Sequence, residues 1–146
     1  QSTSFGLVIL DIDYFKKYND TYGHHEGDIA LRKVGSAIRE VLGNGADKAF
    51  RVGGEEFVIL ALVRTRDTLY AMMERTRTGI ESLGIPHSGS EIGHLTVSLG
   101  GVLVVGTRNT EFETAYRSAD ESLYKSKADG RNISTIADMD GGGSAR

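Results

Sequence analysis

The 146-residue chain has no cysteine and a single proline, Pro86. Without thiols there are no disulfides and no thiolate metal sites, so any metal must take oxygen or imidazole ligands. No apolar run approaches the ~20 residues that cross a bilayer as a helix, so no membrane contact by this segment is expected. An excess of charge of one sign is also lacking. The net charge is −3 and no run of Lys or Arg occurs, which argues against a general nucleic-acid binder. The chain opens on Gln1-Ser2-Thr3-Ser4 and passes straight into a strand-like run, without a secretory signal pattern. A cytoplasmic domain is the expectation, and any membrane attachment of a full-length protein would lie elsewhere. What is present, 39% hydrophobic and 25% charged residues, is an ordinary balance for one domain with a core.

The most informative stretch runs from Ala49 to Leu60. Two apolar runs flank Gly53-Gly54 and two carboxylates, Glu55 and Glu56. The Gly-Gly pair predicts a tight β-hairpin, because glycine accepts positive φ and leaves the turn without side chains. Bare amides beside paired carboxylates suit a polyphosphate and a divalent cation. Read alone, the same residues make an ordinary hairpin with a charged, solvated tip.

Upstream, Phe5 to Ile12 is a continuous apolar run, which predicts a strand buried on both faces. It closes on Asp11-Ile12-Asp13, where a rigid strand end can fix a metal ligand. Asp13 to Asn19 predicts a short helix capped by Asp13, followed by a turn over Asn19–Gly23. His24-His25 reads as a surface pair rather than a ligand pair. A helix is expected to start at Gly27-Asp28, carry Ile29, Leu31, Val34, Ala37, Ile38, Val41 and Leu42 on one stripe, and stop at Gly43-Asn44-Gly45.

Beyond the hairpin, whose second strand is expected to reach about Val63, Thr65 or Asp67 caps a helix. That helix buries Leu69, Met72, Met73, Thr76, Ile80 and Leu83, the methionines as core. Gly84–Gly93 reads as a loop. Leu95–Val105 is strand-rich, with Gly100-Gly101 as a bulge or bend. Thr110-Glu111-Phe112-Glu113 is a capping box for a helix presenting Phe112, Ala115, Ala119 and Leu123, stopped by Gly130. A short strand over Ile133–Ile136 and a flexible tail from Asp138 complete the chain. The order predicts an α/β (α+β) layer fold, with helices covering a five-stranded, mostly antiparallel sheet.

Lys127 and Arg131 stand four apart near a helix C-terminus, so both can point one way. Alone they would be ordinary partners of the helix dipole. Beside Asp11, Glu55, Glu56 and a bare turn, they describe a nucleoside triphosphate site.

Gly53-Gly54-Glu55-Glu56-Phe57 resembles the signature of the GGDEF-type diguanylate cyclases in its GGEEF form. The segment Asp11 to Asp28, the strand Thr96-Val97-Ser98-Leu99-Gly100 and the segment Ala119 to Asn132 resemble further motifs of that family, in order. The resemblance covers about Phe5 to Ile136, and implies a GGDEF domain over residues 1–137 with a nucleotidyl-cyclase palm-like fold. It implies condensation of two GTP into cyclic di-GMP with release of pyrophosphate, across an antiparallel homodimer. Asp11, the carbonyl of Ile12 and Glu55, assisted by Glu56, would hold Mg²⁺ (or Mn²⁺). Glu55 would also be the general base. Asn19 and Asp28 would read guanine, with His24 in the pocket wall. Amides near Phe15, Lys16 and Gly53, with Lys127 and Arg131, would hold the triphosphate.

The family's usual N-terminal segment is not in this sequence, which predicts a piece of a longer protein whose sensory or dimerising domain lies upstream. The family's product-inhibition motif is degenerate, because Asn44 stands where an Arg is usual, although Asp47 matches. Gly101 replaces a branched residue. A catalytically silent module that binds GTP or cyclic di-GMP is the alternative, but no signature acid is missing.

Overall fold

The computed structural model describes residues 3–106 and 112–138. The elements in chain order are β1 (Thr3–Ile12), α1 (Phe15–Tyr22), α2 (His24–Leu42), β2 (Lys48–Arg51), β3 (Glu56–Ala61), α3 (Arg66–Glu81), β4 (Val97–Gly106), α4 (Phe112–Ala128) and β5 (Ser134–Ala137). One sheet of order β2-β3-β1-β4-β5 organises them. All neighbours are antiparallel except β4 and β5, which run parallel. The expected mostly antiparallel five-stranded sheet is borne out.

β1 is central because its sequence is apolar on both faces. Leu7 to Leu10 are all fully buried, each burial contributing about 2 kcal/mol before entropy opposes it. Alternation sends Leu7 and Ile9 to one layer, with Val58, Val102, Val104, Ala115, Ala119 and Leu123. Val8, Leu10 and Ile12 face the other, with Phe15, Leu31, Val34, Ile38, Leu69 and Met73. Helix α4 therefore covers one face of the sheet, and α1, α2 and α3 lie over the other. The α3 methionines are core, as expected.

Several local expectations are corrected. Asp13 caps nothing: α1 begins at Phe15 behind Tyr14, which sits in the left-handed region at φ 55°. Asn19 to Tyr22 are helical rather than a turn, and α2 starts at His24, after the break at Gly23 (φ 93°). β3 ends at Ala61, and Leu83 is exposed. Thr65, not Asp67, caps α3, its hydroxyl accepting from the Thr68 amide. Gly43 ends α2, and Phe112 is exposed.

Gly100 and Gly101 make no bulge. They pair in unbroken register with Ile9 and Val8. Their role is steric: a Cβ on Gly100 would overlap the backbone of Ala119 and Leu123 in α4, and one on Gly101 would press Met73 Sδ at 2.8 Å. The Thr110-Glu111 half of the capping box lies outside the described residues, as does the tail beyond Asp138.

Candidate functional site

The sheet register builds the site. Asp11 pairs with Glu56 on β3 and with Ser98 on β4. One step further, the Ile12 amide donates to the Glu55 carbonyl at 3.2 Å, tying the hairpin tip to the end of β1. Three carboxylates therefore meet at one end of the sheet. Helix α4 delivers Lys127, whose Nζ donates to Asp11 Oδ2 at 2.8 Å. Among the described residues, no three acidic or imidazole side chains already form a cage around one point.

Glu55 and Glu56 both titrate above the usual glutamate value. Burial is the main cause and the charge of Asp11 the next, with Lys127 offsetting part. The folded state therefore holds their protons more tightly than the unfolded chain, and ionising them opposes folding. The stability they lend is complete below the ordinary glutamate pKa and is lost as pH rises through the raised value. Without added metal, Glu55→Gln or Glu56→Gln should raise Tm at about pH 7 and leave it unchanged near about pH 4. Thermal melts at the two pH values check this, and a lower Tm at neutral pH would contradict it.

The hairpin tip differs from the expected turn. Neither Gly53 nor Gly54 takes a positive φ, so the backbone does not demand glycine. Nor does the packing: a Cβ on Gly54 would meet nothing within 4 Å, and one on Gly53 only Glu56 at 3.8 Å. The missing side chains leave space open to solvent. Arg51 holds the turn from behind, its guanidinium donating to the carbonyls of Gly53 (3.2 Å) and Gly54 (2.9 and 3.1 Å).

Across the end of β1, Asp13 is only 2% exposed. It accepts from Thr96 Oγ1 (2.7 Å), Ser98 Oγ (2.6 Å) and the Asn132 amide (3.1 Å). Lys127 and Arg131 are not on one helix face, because α4 ends at Ala128. Arg131 (φ 67°) and Asn132 (φ 53°) follow in left-handed conformation. The turn brings Arg131 to 3.9 Å from Asp13 and its guanidinium to 4.6 Å from the Tyr14 ring centre. Lys17 Nζ lies 5.1 Å from the same ring. Tyr14, Arg131 and Asn132 are the non-glycine residues at positive φ among those described. Backbone strain of roughly 1–3 kcal/mol per residue collects here, as it does at functional sites.

Asn19 lies on α1 against Gly27 of α2, where a Cβ would collide with its Oδ1. That Oδ1 is buried and has no hydrogen-bond partner among the described residues, an unsatisfied acceptor that a turn of the side chain would have to expose before a ligand could reach it. Asp28 opens onto a cavity of about 440 Å³ that Leu31, Arg51 and Phe57 also line. His24 is exposed in the first turn of α2. Phe15 is buried and Lys16 exposed at the start of α1, where the first amides lack intrahelical partners. Asn44 is exposed, and Asp47 Oδ1 accepts from the Leu62 amide at 2.8 Å.

The sequence reading missed Asp13, Tyr14, Gly27 and Arg51 as parts of this assembly. For Asp13 the available signal was Thr96-Val97-Ser98, which aims two hydroxyls from one strand face at a buried acceptor.

Residues 1–133 match the family described as diguanylate cyclase, GGDEF domain. Diguanylate cyclase A of Treponema denticola is 38% identical over 137 residues, 92% of this chain and 35% of that protein. Diguanylate cyclase DosC of Escherichia coli is 35% identical over 130 residues, 89% of this chain and 28% of that protein. The chain thus spans about a third of the length of these curated relatives. Among solved structures, it resembles the GGDEF domain of DgcB from Caulobacter crescentus in complex with c-di-GMP. The TM-score is 0.81 and the identity 33%, over 92% of this chain and 78% of that one. It also resembles the active GGEEF domain of a diguanylate cyclase from Vibrio cholerae, at TM-score 0.77 and 28% identity, over 94% and 85% of the two chains. With the Gly-Gly-Glu-Glu-Phe hairpin set against the acidic end of β1, the sequence and structural matches agree: the chain belongs to the GGDEF diguanylate cyclase family.

Proposed function

We propose that this domain condenses two molecules of GTP into cyclic di-GMP, with two copies facing each other around the substrates. The observation that carries the reading is the meeting of Asp11, Glu55 and Glu56 beside a side-chain-free turn, with Lys127 as counter-charge.

Each bond forms when a ribose 3′-hydroxyl of one GTP attacks the α-phosphorus of the other. The new P–O bond replaces the bond to the β-phosphate, and pyrophosphate leaves. Two such displacements close the ring, which one domain holding one GTP cannot do alone. Glu55 takes the hydroxyl proton, a role helped by the upward shift that burial and the charge of Asp11 impose, since a stronger base accepts more readily.

The donor set fits a hard divalent cation, Mg²⁺ or Mn²⁺. It offers carboxylate oxygens from Asp11, Glu55 and Glu56 and the Ile12 carbonyl; burial first and the charge of Asp11 second raise both glutamates, and a cation would offset both costs. When bound, such an ion stabilises charge on the attacking and leaving oxygens. Lys127, Arg131 and the amides at Phe15, Lys16 and Gly53 hold the triphosphate. Asn19 and Asp28 read the base, with His24 at the pocket rim.

Guanine offers N–H donors where adenine does not, so the Asn19 amide oxygen and the Asp28 carboxylate, once turned to the base, would prefer GTP. Gly27→Ala should therefore expel the Asn19 amide and raise KM for GTP about tenfold, with only a small loss in Tm, because the Asn19 side-chain end and, by a few tenths of an ångström, the Phe15 ring move rather than backbone. Steady-state kinetics beside a melt test this, and an unaltered KM would remove Asn19 from the pocket.

Product inhibition should be competitive with GTP. A distal product site needs a guanidinium fork, but Asn44 is neutral and short, and Asp47 is already bound to the Leu62 amide. Titration calorimetry with cyclic di-GMP, with and without a non-hydrolysable GTP analogue, decides the point. Tight product binding that survives saturation by the analogue and disappears on Asp47→Ala would overturn this claim.

The reading itself is tested by incubating the protein with Mg²⁺ and either GTP or ATP and following pyrophosphate release. Release from GTP alone supports it. Binding of GTP without release would indicate the silent regulatory module instead.

A further inference from the structure

We infer that His87, in the loop between α3 and β4, is a positioning residue that sets the backbone at the start of α1 for the triphosphate; this rests on the GTP reading above. His87 is 1% exposed. Its Nε2 lies 3.0 Å from the Tyr14 carbonyl, and its Nδ1 accepts from the Gly89 amide at 3.3 Å. With Nδ1 acting as acceptor, the ring proton belongs on Nε2 and is donated to Tyr14.

That carbonyl already accepts the first helical bond of α1, from the Tyr18 amide at 3.0 Å. His87 thus adds a second tie to the one peptide that must hold Tyr14 at φ 55°. A bulky residue resists this conformation, and without the tie the preceding loop and the first amides of α1 have a more favourable geometry to relax into. The Phe15 and Lys16 amides follow directly from Tyr14. Its ring is the surface over which Arg131 stacks. One hydrogen bond therefore governs the aim of two amides and the seat of one guanidinium, all on the phosphate side of the site.

The loop is built as a support. The His87 ring stands edge-on to Tyr18 at 5.2 Å and to Tyr22 at 6.4 Å. The Tyr22 hydroxyl accepts from the Ser88 amide at 2.9 Å. The His87 amide donates to Gly93 and the Leu95 amide to Ile85, closing the loop on itself. A histidine kept only for packing would not need its Nε2 on a strained carbonyl outside its own loop.

The test separates phosphate binding from base binding. Affinities for a non-hydrolysable GTP analogue and for GMP are measured calorimetrically on the unmodified protein, His87→Phe and His87→Gln. Phe keeps a flat ring and loses the donor, whereas Gln places an amide N–H near the position of Nε2. The preference for the triphosphate over GMP should fall about tenfold in His87→Phe, with GMP affinity unchanged, and return in His87→Gln. If His87→Phe does not fold, His87→Met against His87→Gln makes the same contrast of donor absent and donor present. A preference unchanged in the donor-less variant, or equal loss for both ligands, overturns the inference while the GTP reading stands. An unmodified protein that binds neither ligand overturns both.

Discussion

A Glu55→Gln protein should lose at least ~10²-fold in turnover while melting no lower than the unmodified protein at neutral pH. The substitution preserves size and removes both the charge a divalent cation requires and the base for the 3′-hydroxyl proton. It should not disturb the hairpin. The contact that ties the tip to β1 is the backbone carbonyl of Glu55 accepting from Ile12, and this survives any side-chain change. The Glu55 carboxylate is also crowded by burial and by Asp11, so its charge weakens the folded state. Activity and stability thus move in opposite directions at this position. Turnover and Tm measured on the same preparation check both, and near-normal turnover would remove Glu55 from the chemistry.

The second large effect is on the fold. Gly100→Ala should destabilise by ~3 kcal/mol or more, lowering Tm by roughly 10 °C. The new Cβ would overlap the Leu123 amide and the Ala119 carbonyl and come within 2.7 Å of Leu123 Cα. These are backbone atoms of α4, which no rotamer change can move aside. Helix α4 would have to lift from β4, and it carries Lys127. The 2.8 Å pair with Asp11 should then weaken as well, so activity should fall more than the folded fraction alone explains. Thermal melts and turnover per folded molecule test this. A Tm within about 2 °C of the unmodified protein would mean that α4 does not pack as closely as described.

The elements legible in the sequence were those whose cause is local. β1 announced itself through an apolar run, α3 through the Thr65 cap, and the end of α2 through Gly43. The acids of the hairpin and of β1 were legible as a set because their residue types and order match a family. What stayed hidden depends on partners far along the chain. Asp13 looked like a helix cap, but its ligands lie 83 to 119 residues away. Gly100-Gly101 looked like a bulge, and only the proximity of α4 and Met73 explains them. Lys127 and Arg131 were placed on one face by an assumed helix, whereas α4 ends at Ala128 and a left-handed turn carries Arg131 to Asp13 and Tyr14. His87 gave no signal at all, since the carbonyl it holds is 73 residues upstream.

The most direct measurement is the mass of the nucleotide product formed from GTP and Mg²⁺ across a dilution series of the protein. The account predicts a cyclic species of two guanylate units, two pyrophosphates released for each, and a specific activity that rises with protein concentration because two domains must meet. A linear dinucleotide, simple hydrolysis of GTP, or bound GTP recovered unchanged at every concentration would contradict it.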